Sequence, residues 1–210
     1  MSVHDGCGDR TEARALHEDA GEALDRNEPE KALDLLRKCL VRARAGGDGG
    51  QCAAVLFEMG FILTSLARYD EAADAYGECL PYWERPPVRP ELAAVLTRLA
   101  QVQRFRGDES AAADACRRLR DVCRTLGDLR GEGLAVKMLG QILFDPQAPE
   151  AGLTLMIRGL ELLRSAAPDE AELMVDHVRF QARAEVGEAE FRRVAAAATS
   201  DTALLAALLG

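Results

Sequence analysis

The side chains best able to ligate a metal or to act as nucleophile or base are three histidines, His4, His17 and His177, and six cysteines. Catalysis requires such groups to converge, and their spacing keeps them apart. No pair of cysteines stands as CxxC and no cysteine and histidine as CxxH, the spacings that commonly hold zinc. Asp176-His177 is a lone dipeptide, and the acidic pairs Asp5/Asp9 and Glu170/Glu172 read as charge on a tail and at a helix start. The cluster Gly46-Gly47-Asp48-Gly49-Gly50 has neither the Lys-Ser/Thr that follows nor the strand that precedes a phosphate-cradling loop, and reads as a linker. We therefore expect no enzyme, no cofactor and no metal. The remaining chemistry is recognition. Gln101, Gln141 and Gln181 recur at a step of 40 (141 − 101 = 40; 181 − 141 = 40). A side-chain amide both donates to and accepts from a peptide backbone; the plainer reading is that Gln is a good helix former on a wet surface.

The step of 40 belongs to the whole chain, and internal repeats decide the fold. Ala20, Gly60, Ala100 and Gly140 form a row of small residues, and Ala32, Ala72, Ala112 and Gly152 form a second. Apolar rows keep the same step: Leu16, Leu56, Leu96 and Val136; Met59, Leu99 and Leu139; Leu36, Tyr76, Cys116 and Met156; Leu40, Leu80 and Leu160. Within each unit, apolar residues recur at three- and four-residue spacing, the mark of an amphipathic helix. Short polar turns divide each unit into two antiparallel helices. The small residues allow those helices to approach closely. Between units, Thr125-Leu126-Gly127-Asp128 ends one helix and opens another.

Met59-Gly60 followed by Tyr69-Asp70-Glu71-Ala72, then Leu139-Gly140, and Gly107-Asp108 leading to Ala112, resemble the tetratricopeptide repeat (TPR) family over roughly residues 13–165. The 40-residue unit is similar to the long variety found in kinesin light chain, in spindle-orientation adaptors and in sensor regions of bacterial regulators. That resemblance implies an all-α, right-handed helical-repeat solenoid. Its four helix-turn-helix units cover about 13–45, 53–84, 91–125 and 131–165, with a degenerate C-terminal capping pair at 169–209. Residues 1–10 form a flexible tail and 11–210 a single domain, with the proline segment Arg85–Pro90 as a loop inside it. The register decays in the cap, where Phe180 stands at a small-residue position. The resemblance also implies a concave groove lined by the first helix of each unit, where a peptide or protein segment binds. By register that face carries His17 and Gly21, then Phe57 and Phe61, then Thr97, Gln101 and Arg104, then Lys137, Gln141 and Phe144, and finally His177 and Gln181. His17 and Gly21 stand where the chaperone-binding branch of the family has the first residues of its Lys/Asn carboxylate clamp, so that specificity is not carried over.

The formal net charge of −9 argues against general nucleic-acid binding, which uses a basic face, and against docking on anionic membranes. No secretory signal or apolar run long enough to span a bilayer is present. Cys39 and Cys79 lie one step apart on an inner stripe, where free cysteine behaves as a small apolar residue. Reduced thiols point to the cytoplasm, and the scarcity of Lys beside Arg and Ala points to a bacterial source. The leucines of Ala203–Leu209 either close the core or contact another chain. The expected function is a non-catalytic scaffold or adaptor that binds a peptide or protein, with acidic character favoured by Arg104 and Lys137. A module that senses a small molecule or peptide for a separate effector is the alternative.

Overall fold

The computed structural model describes residues 5–210, with side chains from Gly8 onward; His4 lies outside the described residues. Every regular element among them is a helix. The chain divides between Pro87 and Val88 into two compact units, so the proline segment separates compact units as well as helix pairs.

The first unit holds α1 (Asp5–Asp25), α2 (Pro29–Ala45), α3 (Gly49–Ser65) and α4 (Tyr69–Trp83). Helix α1 begins at Asp5, so residues 5–10, expected as tail, are helical. Contacts to α2 account for this: Arg10 Nε donates to the Gly46 carbonyl at 3.2 Å, and Arg42 pairs with Asp9 at 3.5 Å and Glu12 at 3.0 Å. The glycine linker is also shorter than expected, because Asp48 caps α3 by accepting from the Gln51 N–H at 2.9 Å and draws Gly49 and Gly50 into the first turn. Ala20, Ala32 and Ala72 are buried as the rows require. Gly60 lies under the Tyr76 ring; a Cβ there would be 2.7 Å from the ring atoms.

The second unit holds α5 (Pro90–Phe105), α6 (Glu109–Leu126), α7 (Leu129–Ile142), α8 (Glu150–Ala166), α9 (Pro168–Val186), α10 (Glu188–Ala198) and α11 (Thr202–Leu209). Helix α6 stops because Gly127 takes a left-handed conformation (φ 71°), which glycine adopts without a Cβ penalty. Asp128 then opens α7 by accepting from the Gly131 N–H at 2.8 Å. Asp108 does the same for α6 toward Ala111, at 3.0 Å.

The closest helix contact joins α7 to α8, through glycines two turns apart on each (140 − 133 = 7; 159 − 152 = 7). A Cβ on Gly133 would lie 2.9 Å from the Gly159 carbonyl oxygen, and one on Gly140 would lie 2.7 Å from that of Gly152. The reverse contacts are equally tight, so backbone meets backbone along the seam. The repeat arithmetic picked out Gly140 and Gly152; Gly133 and Gly159 lie outside its rows.

Helices α8 to α11 close a core of Leu160, Leu163, Val175, Val178, Phe191 and Leu204, among others. Leu204 and Leu208 are fully buried, so these leucines of α11 close the core. Helix α9 turns Val175, Val178 and Ala182 inward and leaves Phe180, the residue at the expected small position, 81% exposed. The repeat register has slipped there because α10 and α11 pack on α9 in place of another full unit. No described helix is long and apolar enough to cross a membrane.

Candidate functional site

Within the second unit, α5 and α7 run side by side over a floor made by α6. Pro90, Ala93, Ala94 and Thr97 of α5 face Gly131, Leu134 and Met138 of α7, with Leu119 and Cys123 beneath. They enclose an open groove of about 400 Å³. It exists because the wall residues on α5 are small: alanines at two adjacent positions, then a threonine whose hydroxyl is turned back onto the Ala93 carbonyl at 2.8 Å. The groove is thus largely alkyl and thioether surface, although the charged Asp128 and Arg130 also line it. Gln101 closes one end of the α5 wall, its Oε1 accepting from Arg98 at 3.4 Å.

One helical turn beyond Gln101 stands Arg104, exposed, and one turn beyond Leu134 stands Lys137. Expected as an exposed groove charge, Lys137 is only 8% exposed. The cause is the glycine seam: a Cβ on Gly159 would lie 2.6 Å from the Lys137 backbone nitrogen, so α7 sinks onto α8 and takes the base of Lys137 with it. Neither Arg104 nor Lys137 has a hydrogen bond or ion pair with a described residue. Burial depresses the Lys137 pKa, the charge of Arg104 depresses it further, and Glu170 partly offsets both. Glu170 is itself held by Arg130 through two hydrogen bonds, at 2.6 and 3.0 Å. This corner therefore carries two cations that no described acid pairs directly, with Glu170 acting on Lys137 only in part, in a chain of net charge −9. The contrast is with Glu132, also buried, whose carboxylate accepts from Arg124 Nε at 3.0 Å and again from Nη2.

Of the expected site residues, Thr97 and Gln101 line the groove, and Arg104, Lys137 and the half-buried Gln141 extend its two helices. Phe144 does not join them as an open ring. It packs partly against the core of α8 to α11, because Gly152 lets the two backbones meet; a Cβ on Gly152 would lie 2.5 Å from the Phe144 Cα. Phe57 and Phe61 belong to the first unit. Phe57 meets the buried Tyr76 edge-on, with centroids 5.7 Å apart, while Phe61 is 51% exposed. His17 pairs with Glu58 at 2.7 Å in the same unit. His177 and Gln181 are exposed on α9, where Gln181 donates to Glu185 at 3.5 Å. Sequence reasoning missed Leu134 and Met138 as groove walls; their signal is that each lies one helical turn or less from Lys137.

The described cysteines are buried thiols. Cys39 donates to the Ala13 carbonyl at 3.0 Å and Cys79 to Ala53 at 3.3 Å, the same bond one repeat step apart. Burial raises the pKa of Cys39, Cys79, Cys116 and Cys123 to about 11. Among the described residues, no group of three or more His, Cys, Asp or Glu is placed to hold a metal.

No protein-family model and no curated protein sequence matches the chain. Among solved structures, it is similar to BtubC (BKLC) from P. vanneervenii, at 16% identity and a TM-score of 0.65, covering 91% of this chain and 89% of that one. A putative kinesin light chain with nearly identical TPR-like repeats, from Podosopora anserina, aligns at 14% identity over 88% of this chain and 98% of the other, with a TM-score of 0.45. The fold is a TPR-like, all-helical repeat solenoid.

Proposed function

We propose that the chain is a non-catalytic interaction scaffold that binds a protein or peptide segment of acidic character on the α5/α7 face of its second unit. The observation that carries this is a largely apolar groove on α5 and α7 whose helices also carry two cations, Arg104 and Lys137, neither of them held by a hydrogen bond or ion pair with a described residue. Burial disfavours the charged form of Lys137, and an anionic ligand would offset that. Acidic segments would be drawn to this face and repelled by the acidic remainder. Gln101 and Gln141 add amides that can hold an extended backbone. In the first unit, Phe61 offers an apolar contact of its own. We place the protein in the bacterial cytoplasm, free of nucleic acid and membrane partners.

The test is a pull-down with the whole chain, followed by calorimetry of the recovered partner against Gln101→Ala/Gln141→Ala. A recovered protein whose affinity drops in this variant supports the reading; unchanged affinity moves the site elsewhere. The groove volume of about 400 Å³ also falls in the range of small-molecule pockets. It favours a sensing module as the second reading, for which a co-purifying metabolite or short peptide would be the sign.

A further inference from the structure

Helix α9 packs inward through Val175, Val178 and Ala182 and carries a second apolar stripe that the chain leaves open. Leu173, His177, Phe180 and Ala184 recur at four-, three- and four-residue steps, which places them on one helix face. All four are exposed. Leu173 and Phe180, at 80% and 81%, are the most exposed large apolar side chains among the described residues. Beside Phe180 lies an open hollow of about 450 Å³, lined by Arg179, Arg183, Ala184 and Gly210. Two arginines that reach from α9 to the end of α11 build it: Arg179 donates to the Ala207 carbonyl at 3.3 Å and Arg183 to that of Leu208 at 3.0 Å. One helix thus carries a projecting leucine and, two turns on, a ring beside a hollow.

Charge on α9 is divided in the same direction. Residues 168–176 hold Asp169, Glu170, Glu172 and Asp176 and no Lys or Arg; residues 177–186 hold Arg179 and Arg183 against Glu185 alone. We propose that this face is a homodimer interface, in which the α9 stripes of two copies pack antiparallel about a two-fold axis between Asp176 and His177. That register sets Leu173 of each copy against Phe180 and the hollow of the other. It sets Glu172 against Gln181, whose amide can donate to a carboxylate. Asp176 meets His177, an imidazole with no hydrogen bond or ion pair to a described residue. A parallel pairing would set acid on acid along the first half of the helix, so charge selects the antiparallel one, as does the opposition of the helix dipoles. One patch that meets itself closes the assembly at two copies. A stripe on a single helix is smaller than a standard interface, so the dimer is reversible and depends on concentration. The surface lies on a different helix from the groove walls, and its use does not depend on what the groove binds.

The test is sedimentation velocity of the whole chain from about 10 μM to about 1 mM. The parent is compared with Leu173→Asp, Phe180→Asp and, at an exposed apolar residue of α2, Val41→Asp, each shown by circular dichroism to be folded. The parent and Val41→Asp are expected to shift from monomer toward dimer over this range, and both α9 variants to associate about tenfold or more weakly. Register is read by mixing Leu173→Cys with Phe180→Cys under mild oxidation and mapping the cross-links by mass spectrometry. The mixture is expected to join the two substituted positions, and either variant alone to cross-link much less there. A parent that stays monomeric at the highest concentration, association that both α9 variants leave unchanged, or an equal loss in Val41→Asp would overturn the interface. Preferential cross-linking of position 173 to itself would overturn the antiparallel register.

Discussion

Ala67 has a φ of 57°, in the left-handed region that an L side chain disfavours. It ends α3 where Gly107 and Gly127 end α5 and α6 with φ of 76° and 71°. Ala67→Gly removes a Cβ from a strained site, and we expect it to raise stability by about 1 kcal/mol, read as a higher denaturation midpoint. Lys137 has the opposite character, a residue whose cost lies in its charge. Its pKa is lowered in the fold, first by burial and then by Arg104, so the unfolded chain binds more protons than the folded one. Stability should therefore climb as pH rises from that lowered value toward the ordinary lysine range. Lys137→Met keeps the length and removes the charge; it should melt no lower than the parent and lose that part of the pH dependence. A lower melting temperature would show that the lysine holds the fold.

At the scale of the element, the seam between α7 and α8 governs both packing and site. A side chain at Gly140 meets the Met156 nitrogen at 2.6 Å and the Gly152 oxygen at 2.7 Å, backbone atoms that cannot rotate away. Gly140→Leu should cost about 3 kcal/mol or more, and Ala100→Leu, at a fully buried position, about 1–3 kcal/mol, both measured by thermal melts. Unchanged melting temperatures would break the repeat register. The paired thiol bonds of Cys39 and Cys79 make a gentler test. Each should be replaceable by Ala at about 1 kcal/mol, and with pKa values near 11 both should react slowly with thiol reagents until the chain unfolds.

Helix boundaries were legible in the sequence because the signals are local: a Gly-Asp pair both stops one helix and caps the next, and rows of small residues mark the contacts. The site was only half legible. Register arithmetic placed Thr97, Gln101, Arg104, Lys137 and Gln141 on α5 and α7, the helices that flank the candidate groove, since a face follows from periodicity alone. It could not bury Lys137, because that depends on Gly159, a residue of the neighbouring helix outside the repeat rows. Nor could it pack Phe144 partly against the α8 to α11 core, which depends on the close approach at Gly152. The decay of the register in the cap was legible from Phe180 at a small-residue position; the fit of α10 and α11 on α9 was not, because contacts between helices set it.

For the whole molecule, the net charge of −9 makes the location of a cation matter more than the total charge for the acidic segment proposed above. Added salt should weaken binding, but only in part, because apolar contact in the groove is not screened. The charge at Arg104 and the charge at Arg158 make a direct comparison. Both arginines are exposed, and neither has an ion-pair partner among the described residues, but Arg158 lies on α8, away from the groove walls. The decisive measurement is the calorimetric affinity of the recovered partner for the parent, for Arg104→Glu and for Arg158→Glu. Both variants shift the net charge equally, so a difference between them reports position. The account predicts a loss of about tenfold or more for Arg104→Glu and an affinity near the parent's for Arg158→Glu; equal affinities for the two variants would contradict it.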